Sequence, residues 1–390
     1  MTGGVETALG PARAHVTGPS GPAVQALVEE LYQGLRGQPA TAVLWFASSA
    51  YQPEDLAGPL AAAFPDAAVV GCSTAGEFTD RSMATGGISA IALPYGMLTG
   101  AVAALADLSQ DAAYGTWRAV EALEASLGMP LRDLDPSCHL GFILIDGVHG
   151  AEELVNEVIG NAAPLLDVVG GSAGDDLAFR QTWVTVGEHV SRQGAALLVC
   201  QSAVPFRVVK ACSFVPTGRV LRITHADVPA RTVLAFDGRP ALEAYAEAVG
   251  VPPEGIDATV WMQHPLGLMI DGRPWVRSPQ SLRSDGGITF YAQILPGTQV
   301  EVMRATDLVA DTHAAIDAAR AALGGEAVGS VMFNCILRRL ELDARGTGGP
   351  FLHAFAGLPT AGFHTYGESW LGHINQTLTG VVFGRGSVFG

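Results

Sequence analysis

One short phrase recurs three times along this chain, and a chain that repeats itself is constrained first by its repeat. The copies are Val69-Val70-Gly71-Cys72-Ser73-Thr74-Ala75-Gly76-Glu77, Val168-Val169-Gly170-Gly171-Ser172-Ala173-Gly174-Asp175 and Gly362-Phe363-His364-Thr365-Tyr366-Gly367-Glu368. Each follows an apolar, β-rich run by a similar interval, the runs being 42–47, 140–145 and 330–335. The sequence between run and phrase is long enough for a short helix. The unit therefore reads strand, helix, strand, then a turn carrying glycine, a hydroxyl residue and an acid. Such wide spacing does not suit a solenoid. The expectation is an α/β fold of two domains, with mixed sheets covered by helices and internally duplicated strand-helix-strand units. Two glycines let backbone approach a ligand, and a hydroxyl and a carboxylate stand at a strand's carboxyl end, where open α/β sheets bind small molecules.

Bulk composition narrows the function classes. A length of 390 residues suits two or three domains, and 48% hydrophobic with 15% charged residues describes a well-buried globular chain. A net charge of −16 argues against nucleic acid and anionic membrane surfaces as partners, since both need clustered Lys and Arg. The five cysteines are scattered without a C-x-x-C pair, which removes support for zinc or thioredoxin-type chemistry and suits a reduced, cytoplasmic setting. The N-terminus lacks the pattern of a signal peptide. The uncharged stretch 82–106 is broken by glycines and Pro94, and reads as two buried strands around a turn rather than a membrane span.

Gly, Pro and Ala dominate residues 1–20, which reads as a disordered tail. Apolar periodicity predicts helices over 22–35, 53–64, 111–127, 151–163, 240–249 and 307–323, the last with Asp307 as N-cap. Strand-like runs cover 87–93, 194–200, 206–214, 219–225, 287–295 and 298–304, and the strand-rich stretch 195–236 reads as an antiparallel part of a mixed sheet. The domain boundary is expected at Gly238-Arg239-Pro240, giving domains over 21–238 and 239–390.

Taken together these motifs resemble the FIST proteins. The two glycine-hydroxyl phrases at 71–77 and 170–176 resemble the FIST N half, while Phe333-Asn334-Cys335-Ile336-Leu337-Arg338, the third phrase and Asn375-Gln376-Thr377 resemble the FIST C half. The resemblance spans about Ala40 to Phe383. It implies a bacterial ligand-sensing module without catalytic activity of its own, working with a histidine kinase, a cyclic-di-GMP enzyme or a chemotaxis receptor. Because the last strand-like run lies close to Gly390, no output domain is expected, and signalling would pass to a separate protein. A homodimer is left open.

The third copy is the richest in chemistry. Arg338, Tyr366, Glu368, Asn375 and Thr377 stand near two strand ends and would suit an amino acid or a similar polar metabolite, with Arg338 on its carboxylate and Glu368 on its ammonium. The competing reading is a buried structural salt bridge between Arg338 and Glu368. Ser172 and Asp175 are the matching candidates in the second copy. A subset of the proteins this chain resembles binds haem and senses nitric oxide. That resemblance implies noncovalent haem b, since no C-x-x-C-H is present, with a histidine on the iron. His373 is the first choice as metal ligand, followed by His364 and His264. A strand over 372–378 would carry His373, Asn375 and Thr377 on one face. Phosphate binding lacks a P-loop and faces Glu77, Asp175 and Asp176. Gly170-Gly171-Ser172-Ala173-Gly174 fits G-x-S-x-G, so a serine hydrolase stands as a further alternative, without assignable acid or base partners.

Overall fold

Each apolar run and each recurring phrase forms a strand, and in every copy the two strands pair in parallel, Ala40–Ser48 with Ala68–Thr74, His139–Ile145 with Val168–Ser172, and Ala327–Cys335 with Thr360–Thr365. A computed structural model describes residues 10–388. The connection is one helix in the first two copies, Glu54–Ala63 and Glu152–Ala162, and two short helices, Ile336–Arg345 and Gly348–His353, in the third. A long strand then returns antiparallel beside the first strand of its own copy: Gly87–Pro94, Gly194–Ser202 and Thr377–Gly384. An edge strand completes each sheet on that side, namely Ala12–Thr17, Leu98–Asp107 and Phe206–Cys212. All three sheets have six strands in the same order, so the repeat is threefold.

The outer two strands of every sheet come from another copy. The hairpin after the first phrase, Glu77–Thr79 with Met83–Ala84, extends the third sheet, and that after the second, Val184–Val186 with His189–Ser191, extends the first. The hairpin after the third, Glu368–Trp370 with His373–Ile374, extends the second. This exchange closes the copies into a ring. Their inner faces share one apolar core, where Phe46, Phe142, Phe333 and Phe363 meet at ring separations of 4.8–6.4 Å. Helices Ser20–Leu35 and Glu54–Ala63 cover the outside of the first sheet, and Ala112–Leu127 with Glu152–Ala162 that of the second. Leu308–Ala322 and the short helices cover the third. Alternation in strand and 3.6-residue periodicity in helix thus serve the same sheet from opposite faces.

A fourth sheet of eight strands is inserted between Phe206–Cys212 and Leu308–Ala322, with its own core around Phe236, Tyr245 and Phe290 under helix Ala241–Val249. The strand-rich stretch 195–236 is consequently divided among three sheets instead of forming one antiparallel part. Hydrogen-bonded strands also cross the expected boundary at 238: Phe206–Cys212 pairs with Thr377–Gly384, and Phe214–Asp227 belongs to the inserted sheet. The disordered-tail expectation is corrected as well. Ala12–Thr17 is a strand that buries Ala12, Ala14 and Val16 against helix Ser20–Leu35, while Arg13 pairs with Asp80 at 2.6 Å. Residues 1–9 of that stretch lie outside the described residues. Among the described residues, no helix is long and apolar enough to cross a membrane.

Candidate functional site

The three turns meet where the copies close on one another. The Ala75 N–H donates to the His364 carbonyl at 3.0 Å, Tyr366 N–H to Ser172 at 3.1 Å, and Gly174 N–H to Ser73 at 3.1 Å. This ring makes Ser73, Ser172 and His364 equivalent, and likewise Ala75, Gly174 and Tyr366. Strand pairing then aligns Glu77, Val184 and Glu368, since each starts its exchanged hairpin. The acid of the second copy is therefore absent, and residues 175–182 form an insertion between turn and hairpin. Asp175, which the phrase places opposite the two glutamates, instead accepts the N–H groups of Phe179, Arg180 and Gln181 at 2.7–3.0 Å and organises the inserted loop.

The two glutamates are buried braces. Glu368 accepts from Thr365 Oγ1 at 2.5 Å and from the Thr377 hydroxyl and N–H at 2.7 and 3.0 Å. Glu77 accepts from the Thr74 hydroxyl and from Gly87 N–H, at 3.1 Å for the latter. Burial raises Glu77 to about 8 and Glu368 to about 7, against the hydrogen bonds that favour the ionised form. A carboxyl raised in this way holds its proton more tightly in the folded chain than in the unfolded one. Its stabilisation is complete below the ordinary carboxylate range and is lost as pH rises through about 7 and about 8. The unfolding free energy is expected to fall as pH rises from about 4.5 to about 8, by up to roughly 1.4 kcal/mol per pH unit for each carboxyl ionised in the unfolded chain and still protonated in the folded one. Thermal midpoints across that range check it. Glu77→Gln should flatten the curve, and an unchanged slope would refute the assignment.

Arg338 does not pair with Glu368 and lines none of the cavities described below. Its guanidinium is wholly buried and donates to Asn334 Oδ1 at 2.8 Å, Ser213 Oγ at 2.9 Å and Thr312 Oγ1 at 2.7 Å. Both sequence readings of this pair, ligand clamp and salt bridge, give way to a structural tie between helix Leu308–Ala322 and strand Ala327–Cys335. The continuous strand over 372–378 is also corrected. Asn375-Gln376 is a turn between two strands, with Gln376 at φ 51°, so His373 and Thr377 belong to different strands. Thr377 serves Glu368, and Asn375 Oδ1 faces the Ser278 N–H at 3.5 Å.

The histidines separate clearly. His264 caps helix Ala258–Gln263, with Nδ1 at 3.3 Å from the Met303 carbonyl. His364 is buried against Phe78, its Nδ1 at 3.0 Å from Asn334 Nδ2 and its Nε2 without a partner. Burial, aided by Arg339 and Arg338, holds it well below the usual imidazole range. His373 is buried with neither ring nitrogen partnered, and it borders a cavity of about 460 Å³ walled by Ile159, Leu166, Val168 and Leu371. Burial keeps it neutral, although Glu152 and Glu153 pull the other way. Among the described residues no group of three His, Cys, Asp or Glu side chains could hold a metal ion.

Tyr366 leads to a second cavity, of about 350 Å³, outside the carboxyl end of strand His139–Ile145. The second copy supplies residues 147–150 and Glu152 to its wall, and the inserted sheet supplies Arg231, Gln280 and Tyr291. Phe179 of the inserted loop stacks on Tyr366 with ring centroids 4.6 Å apart. The Tyr366 hydroxyl donates to Asp175 and accepts from Leu177 N–H, at 2.7 Å for the latter. Glu152 is buried, its Oε2 bonded to Arg231 at 2.6 Å and its Oε1 accepting from Ser172 at 3.3 Å. Burial alone would raise that carboxyl, but the charges and hydrogen bonds of its neighbours, Arg231 foremost, together outweigh it and hold it below the ordinary range. His149 Nδ1 bonds buried Asp146, which also accepts from Thr182 of the inserted loop at 2.5 Å. Burial lifts Asp146 above the usual range.

The hydrolase motif thus has its serine hydrogen-bonded to a carboxylate, with no imidazole as base. Sequence reasoning missed Asp146, His149, Glu152, Arg231 and Tyr291. The first three follow the second apolar run directly, a position that could have drawn attention. Arg231 and Tyr291 belong to a sheet with no counterpart in the repeat.

A FIST N domain matches residues 41–239 and a FIST C domain residues 241–370. The chain belongs to the FIST family. FIST domains are small-ligand sensory domains of signalling proteins, which agrees with a cavity bordered by both domains. A search of curated proteins gave no match. Similar solved structures include a chorismatase, at 11% identity and TM-score 0.35 over 96% of this chain and 98% of the other. A cyanuric acid hydrolase from A. caulinodans is similar at 10% identity and TM-score 0.38, over 96% and 99% respectively. Likenesses this distant carry no argument about activity.

Proposed function

We propose that this FIST protein senses a small polar metabolite, such as an amino acid, held in the cavity beneath Tyr366 and Phe179. The observation that carries the reading is the convergence of both domains on one cavity, whose wall carries the Arg231–Glu152 ion pair. Binding becomes a signal only if the ligand favours one conformation over another. The inserted loop is suited to that role. Asp176, Leu177 and Phe179 hold φ of 53°, 67° and 49°, a left-handed backbone that costs these residues free energy unless contacts hold it. Those contacts run to Tyr366, which borders the cavity, and Thr182 of the same loop is tied to Asp146. The output would pass to a histidine kinase or a cyclic-di-GMP enzyme, a part of the reading that rests on the family. A thermal-shift panel of amino acids and polar metabolites tests it, a binder at a hundred times its Kd adding about 2.7 kcal/mol of stability. Turnover of a substrate by the isolated protein would overturn it.

A second reading has its own support in His373. A buried neutral imidazole with both nitrogens unpartnered has the donor chemistry of a haem ligand, and the adjoining cavity is largely apolar. Glu153 and Glu157 border the same cavity and would repel haem propionates, leaving Arg277 to meet them. Bound haem b would supply an iron able to take nitric oxide. Protein expressed with haem supply is then expected to show a Soret band that moves with nitric oxide, lost in His373→Ala and kept in His313→Ala. A colourless protein, or an unchanged spectrum in His373→Ala, removes this reading.

A further inference from the structure

The sequence contains a single lysine, Lys210, among 22 basic residues, and it borders a third cavity of about 460 Å³ along the edge strand Phe206–Cys212. Arg207 and Arg273 border the same cavity, and no Asp or Glu does. None of the three takes part in an ion pair among the described residues. The Lys210 ammonium donates to the Pro274 carbonyl at 3.1 Å and lies 3.9 Å from the centre of the Trp275 ring, which stacks on Trp370. The remaining wall is apolar, formed by Val209, by alanines of helix Leu308–Ala322 and by Trp370.

Lys210 is half-buried beside Arg207 and Arg273, both exposed, and no carboxylate answers the three in a chain of net charge −16 that has acids to spare. Burial, with Arg273 and Arg277 nearby, lowers Lys210 to about 8, the response of an ammonium held without a carboxylate. An anion would offset this crowding, while the alanine and tryptophan wall would take an apolar body. We infer that this cavity is a second ligand site, for an amphipathic organic anion whose carboxylate or phosphate head meets Arg207, Lys210 and Arg273. Its volume suits a metabolite-sized ligand. It shares no residue with the cavity beneath Tyr366, so it stands or falls independently of the sensory reading.

Titrations followed by tryptophan fluorescence test the inference with four probes: octanoate, octyl phosphate, octanol and inorganic phosphate. Octanoate or octyl phosphate should saturate at one equivalent, and whichever binds more tightly identifies the head group. Octanol and inorganic phosphate should bind at least tenfold more weakly, because each lacks half of the recognised chemistry. Arg273→Gln, at an exposed position that leaves the fold intact, should weaken the tighter anion at least tenfold. The same anion should protect Lys210 from amine acylation, which in this chain can label only that side chain and the N-terminus. Octanol binding as tightly as octanoate, unchanged affinity in Arg273→Gln, or unprotected Lys210 would each overturn the site.

Discussion

Gly170→Ala is expected to lower the unfolding free energy by about 3 kcal/mol or more, a large effect for one methyl group. A Cβ at this position would stand 1.8 Å from the Ile143 carbonyl oxygen of the neighbouring strand. Backbone within a six-stranded sheet cannot retreat without moving the sheet. The equivalent glycines are just as confined. A Cβ at Gly71 would meet the Trp45 ring at 2.3 Å, and one at Gly362 the Met332 carbonyl at 2.3 Å. The recurring glycine is thus required by close strand packing in each copy, not by a ligand. Gly160→Ala provides the opposite sign, because that helical glycine has open space around its Cβ position and alanine should add roughly 0.5–1 kcal/mol. Urea unfolding of both variants checks the pair, and a Gly170→Ala protein as stable as the parent would contradict the threefold packing account.

Arg338→Ala carries the second large effect, a loss of roughly 3–5 kcal/mol with ligand recognition left intact. The substitution empties a buried volume and leaves the Asn334 Oδ1 acceptor without its donor. Asn334 is also held to His364, so the disturbance reaches the ring of turns. Thr312 can fall back on its bond to the Leu308 carbonyl at 2.7 Å, which limits the cost on that side. The discriminating readout combines urea unfolding with ligand-induced thermal shift. A stable Arg338→Ala protein that has lost its ligand response would restore the carboxylate-anchor role and displace the structural one.

Much of the scaffold was legible in the chain. The three phrases mark the three parallel strand pairs. Six helices follow from apolar periodicity, among them Leu308–Ala322, capped by Asp307 through the Val309 and Ala310 N–H groups at 3.0 Å. The exchanged hairpins were not legible, because strands as short as Glu77–Thr79 and His373–Ile374 leave no periodic trace. The inserted loop misled the alignment of the acids. It places Asp175 where the phrase expects a partner of Glu77, whereas Val184 occupies that position in the fold. Helix Ile336–Arg345 was hidden because it begins directly on the end of its strand. The cavity beneath Tyr366 was half visible. Tyr366 and Ser172 lie in the repeat, but Arg231 and Tyr291 come from an insertion whose strands say nothing locally about what they face.

The central claim is that a small polar ligand occupies the cavity bordered by the two domains. Ala230→Trp tests it most directly, since Ala230 borders that cavity, is itself exposed and can take an indole without disturbing the core. Isothermal titration with the strongest metabolite of the thermal-shift panel should give one site per chain in the parent protein. In Ala230→Trp the affinity should fall at least a hundredfold while the unfolding midpoint without ligand stays within a degree or so, about 2.7 kcal/mol of binding being lost. Equal affinity in the two proteins, or a panel without any binder, would contradict the claim.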